Sequence, residues 1–215
     1  MISNATQPEL LTLAATLAPG ARRLGLPALA ARCDAVDRGA AQAADAIARV
    51  EEAERARAGT MEAVRGAEAT LDRRTVALAE TLAALQKADV EGAGDLRFSL
   101  FPTTAGAVVA ASGRAQVAPA AQLAARLRAQ AAHPARVWVG AQVDALLPML
   151  DGFAALVQDR DAAHEAAATA ATARRQAVEG LRDALAQLRA AVALEAGGES
   201  SEAYRQWLRG AETLG

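Results

Sequence analysis

From Leu29 onward the chain repeats an alternation of four and three residues that severely limits what it can fold into. Leu29, Cys33, Val36, Ala40, Ala43, Ile47 and Val50 begin the series. Val64, Leu71, Leu78, Leu82 and Leu85 carry it on in phase, and no proline falls within 28–90. Side chains at this spacing form one stripe on an α-helix, the heptad seam that packs against a partner helix. The pattern predicts one helix over 27–90, opened by Pro27 in a first-turn position and stopped by the sequence EGAGD at 91–95.

A second series keeps the same alternation. It runs through Val139, Val143, Leu146, Leu150, Phe153 and Val157, and later through Val178, Leu181, Leu185, Leu188 and Val192. It predicts a helix over 137–195, with Pro148 as either a kink or the real start. Each seam is apolar at its ends and thin or polar in its middle. Glu54, Arg57, Glu68 and Thr75 lie on the first seam; Arg160, His164, Ala167, Ala171 and Arg174 lie on the second.

Folded back antiparallel, the two seams admit one register in which both acids meet arginines: Glu54 faces Arg174 and Glu68 faces Arg160. The same register sets Ile47 against Leu181 and Leu78 against Leu150. Shifting by a heptad strands both carboxylates among apolar side chains, and a buried unpaired charge costs on the order of 3–5 kcal/mol. These four residues are therefore expected to set the register. The expected fold is all-α: a single elongated helical domain, a long antiparallel coiled-coil hairpin with short capping helices.

Composition agrees with thin helical packing. Of 215 residues, 62 are alanine and only 3% are aromatic. Alanine is the best helix former but fills little core volume. Ala163, Ala170, Ala177 and Ala184 form a column beside the second seam, wider than two helices need. Extra apolar columns suit a bundle of more than two helices, so a second copy of the chain is the expected cover, making a four-helix homodimer.

The flanking segments read as short helices at 6–19 and 199–212, closing the base, with APG at 18–20 ending the first. Tyr204, Trp207 and Leu208 are expected to pack against residues 10–17. The connector 91–136 is too long for a bare loop and reads as a cap, with a helix over 118–133 turning Leu123 and Leu127 inward. Phe98 and Phe101 are expected in the core of that cap. With Trp207 they are also the candidate contacts for a partner protein.

The formal net charge is −2, which removes the basic footprint of a nucleic-acid binder. One cysteine, Cys33, forms no internal disulfide, and the N-terminal stretch has no basic, apolar leader pattern; the expectation is a reduced, cytoplasmic protein. No window is expected to be long and apolar enough to span a bilayer. GAGD at 92–95 is not a phosphate loop, since neither a strand nor a lysine accompanies it. No cofactor is implied. The functional expectation is a non-enzymatic structural or protein-interaction coiled coil. The alternatives are a lipid-surface-binding or pore-forming helical protein, and a metal-binding helical bundle built around His164 and Asp161.

Overall fold

The computed structural model describes residues 5–212, and it is all-α: among these residues no strand occurs. Two long helices dominate, α2 (Pro27–Lys87) and α6 (Gly140–Glu195). Before them comes α1 (Gln7–Arg22). Between them lie α3 (Ala93–Leu100), α4 (Gly106–Val109), α5 (Arg114–Ala129) and a 3-10 helix (Pro134–Trp138). The last helix is α7 (Glu202–Glu212).

The chain divides into two compact units, and both boundaries fall inside the long helices. Unit 1 comprises Met1–Glu54 and Ala166–Gly215; unit 2 is the continuous segment Arg55–Glu165. Each unit has its own core, because each seam is apolar at its ends and depleted of large side chains in its middle.

In unit 1, Leu29, Cys33, Val36 and Ala43 of α2 are buried together with Val178, Leu181, Leu185, Leu188 and Val192 of α6. Leu10, Ala14 and Leu17 of α1 and Tyr204 and Trp207 of α7 complete that core. The Trp207 indole N–H donates to the Leu17 carbonyl at 3.3 Å, and Arg189 donates to the Tyr204 hydroxyl at 2.6 Å. A residue larger than glycine at Gly20 would place its Cβ 3.2 Å from the Trp207 ring, so this glycine lets α1 and α7 approach. Cys33 is fully buried, and burial raises its thiol pKa.

The first helix runs further than its sequence suggests. APG does not end it: Pro19 sits inside α1, which continues to Arg22. By that point the helix is long enough to carry one missing amide, and Ala18 and Ala21 are both fully buried. Arg22 then bonds to Asp34 at 2.8 Å and also reaches Asp37, tying α1 to α2.

In unit 2, Val64, Leu71, Leu78 and Leu82 of α2 share a core with Val143, Leu146, Leu150, Phe153 and Val157 of α6. Leu96, Leu100 and Phe101, then Leu123 and Leu127 of α5, close it. Helix α5 begins four residues earlier than expected, at Arg114, which places Pro119 in its interior. The proline withholds a donor from the Ala115 carbonyl, and buried Ala120, Leu123, Ala124 and Leu127 carry the helix past it.

The register differs from the expected one by about a heptad. In unit 1, Gly39 lies against Leu181, its Cβ position 3.4 Å from the Leu181 Cα, where Ile47 was expected. In unit 2, Gln142 donates to Thr81 at 3.0 Å. The cost assigned to stranded carboxylates assumed that the two long helices were their only surroundings. The cap removes that assumption, as the site geometry shows.

Candidate functional site

A polar cluster of unit 2 forms where α2 and α6 meet the start of α5. Glu68 and Asp72 are one turn apart on α2 and so share a face. The Glu68 carboxylate accepts a hydrogen bond from the backbone N–H of Gly113, the residue preceding α5. A carboxylate there complements the positive end of the helix. Gly113 has φ +56°, and an added Cβ would lie 2.9 Å from Arg160 Nη1. Gln116, in the first turn of α5, is 1% exposed, and its Nε2 donates to Asp72 at 2.7 Å.

Glu68 and Arg160 therefore converge on Gly113, but they do not form the expected ion pair. Arg160 Nε donates instead to Asp161 at 3.0 Å, and this bond holds the Asp161 carboxyl below its usual range. The amide of Gly113 supplies Glu68 with the donor that the register argument assigned to arginine. At the other expected pair, Glu54 is exposed and Arg174 is half-buried. The Arg174 Nε has no hydrogen-bond partner among the described residues.

The three aromatic candidates separate. Phe101 is buried at 7% exposure, and Trp207 belongs to the unit 1 core at 6%. Phe98 is 70% exposed, because in α3 the inward positions are taken by Leu96 and Leu100. Two residues absent from the expectation join it on the surface of the same unit: Val137 at 79% and Trp138 at 62%. Their signal was present in the sequence. Both precede Val139, the first seam position, and follow Pro134, so no inward stripe claims them.

His133 also takes a local role. Its Nδ1 accepts from the Ala135 amide at 3.2 Å, capping the 3-10 helix, and its ring packs on Gly92. His164 is exposed, and among the described residues no group of three His, Cys, Asp or Glu side chains is placed to hold a metal ion. In unit 1 a groove of about 360 Å³ is lined by Thr16, Pro19, Arg23, Leu24, Gln206 and Trp207.

One sequence expectation needs correction. Helix α6 contains an 18-residue window of mean hydropathy 1.3 with no more than two charged residues, enough by length and composition to cross a membrane. Interspersed acids and Pro148 hide it when only unbroken apolar runs are sought. Only 28% of that window is buried, while Val143, Leu146, Leu150, Phe153 and Val157 of the same helix serve the unit 2 core.

No family model matches the chain, and neither a curated protein nor a solved structure matches it.

Proposed function

We propose that this chain is a non-enzymatic helical scaffold that pairs with a second copy of itself and meets another protein through the cap of unit 2. The observation that carries the reading is the exposure of Phe98, Val137 and Trp138 in a unit whose other large apolar side chains are mostly covered. Exposed aromatic side chains are enriched at protein interfaces, where burial of apolar area supplies the driving force. Self-pairing rests on the coiled-coil periodicity and on the alanines of α6. Ala170, Ala177, Ala184 and Ala191 are only half-buried in the single chain, and a facing helix would cover them.

Light scattering at micromolar concentration should give twice the chain mass of 22.0 kDa. Ala170→Glu with Ala177→Glu should return one chain mass without loss of helix content, because two charges per copy cannot be accommodated at a close contact. A single-chain mass for the unaltered protein would sink the self-pairing.

A second reading is favoured by the hydropathy of α6: an apolar stripe that inserts into a lipid surface. Flotation with anionic vesicles decides between them. The scaffold reading expects the protein to stay at the bottom of the gradient.

A further inference from the structure

We propose that Asp72, Gln116 and Glu68 form a proton-responsive latch between α2 and α5, in which uptake of one proton by Asp72 tightens the tie. Gln116 is buried, and its two polar atoms fare differently. Nε2 donates to Asp72 Oδ1 at 2.7 Å, while Oε1 has no hydrogen-bond partner among the described residues. An ionised carboxylate has no hydrogen to offer that oxygen; a protonated carboxyl has one. With the proton on Asp72, its O–H can donate to Gln116 Oε1 while its other oxygen keeps the bond from Nε2. The pair then becomes a closed acid–amide ring with both partners satisfied.

The surroundings favour that proton. Burial raises the Asp72 pKa and so does the charge of Glu68, one turn away; the bond from Gln116 works in the opposite direction. The nearby cations are engaged elsewhere. Arg160 on α6 and Arg114 on α5 both address Asp161, the latter at 3.6 Å. Glu68 is held by the Gly113 amide. Among the described residues Asp72 has no ion-pair partner. Because the folded-state pKa is raised, the ionised form is penalised in the fold at high pH, and the penalty is lifted as pH falls toward that pKa. Helix α5 also accepts a bond from Arg136 at the Leu127 carbonyl, at 3.0 Å, which ties the 3-10 helix bearing Val137 and Trp138 to the same helix.

Asp72→Asn imitates the protonated acid, since its amide offers both a donor and an acceptor. In the full chain at pH 8 it should raise the melting midpoint by about 2–4 °C, the range for a modest gain in a chain of this size. The gap from the unaltered protein should narrow as pH falls toward 5, and Gln116→Met in the same chain should abolish the gain. Carbon-13 titration of the Asp72 carboxyl in the unaltered protein should give a midpoint above that of an ordinary aspartate. An equal or lower melting midpoint for Asp72→Asn at pH 8 overturns the latch. So does a gap that ignores pH, a gain that survives loss of Gln116, or an ordinary carboxyl midpoint.

Discussion

At the scale of single residues, Gly113 concentrates the constraints of unit 2. Its φ of +56° disfavours any side chain, its Cβ position is already crowded by Arg160, and its amide binds Glu68. Gly113→Ala should therefore cost about 1–3 kcal/mol from backbone strain alone, before Arg160 moves aside. Urea unfolding gives that number directly; a loss under about 0.5 kcal/mol, the ordinary surface range, would show that the loop relaxes freely. The glycine itself is visible in the sequence, and so are Glu68 and Arg160 as polar interruptions of the seams. Their shared destination is not, because it lies on a third segment of chain, 45 residues from Glu68. Heptad counting compares only two helices at a time.

At the scale of elements, α6 is the sharper test of local rules. It runs from Gly140 through Pro148 to Glu195, so the proline neither starts nor ends it. Pro148 is exposed, with Leu146 and Leu150 buried on either side. Core burial of those leucines, about 1.5–3 kcal/mol each, competes with the roughly 3 kcal/mol cost of an interior proline and prevails. Pro148→Ala should accordingly stabilise the protein by about 1–3 kcal/mol, read as a raised denaturant midpoint with an unchanged slope. A destabilised variant would mean that the proline ring supplies packing not evident from its exposure. Helix α1 gives the same lesson, since buried Ala18 and Ala21 carry it past Pro19. Helix α3 shows the limit of single-residue hydrophobicity: Leu96 and Leu100 take the inward face, and Phe98 is left in solvent.

At the scale of the whole molecule, the division into two units follows from where large side chains are absent. Unit 2 is continuous in sequence, Arg55–Glu165, and contains a complete apolar core of its own. Unit 1 is assembled from two separated segments. The fragment 55–165 should therefore be helical and melt cooperatively alone, whereas 1–54 should stay largely unfolded until 166–215 is added. Circular dichroism of the three peptides checks this; a fragment 55–165 without a sigmoidal transition would show that unit 2 depends on unit 1.

The sequence by itself determined the helical class, the span of both long helices to within a few residues, the inward stripe of each, and the apolar ends with a thin middle. Period and composition are local quantities, and a stripe of leucines every three and four residues has few other uses. Only the tertiary structure decided the register and the fate of the charged residues. Seven-residue periodicity makes neighbouring registers nearly equivalent in apolar pairing. The choice between them then falls to single polar groups such as Glu68 and Gln116, whose partners come from the cap. A backbone amide at Gly113 supplies the carboxylate with the donor that an arginine was expected to bring, and no pattern of side chains announces where that amide will be.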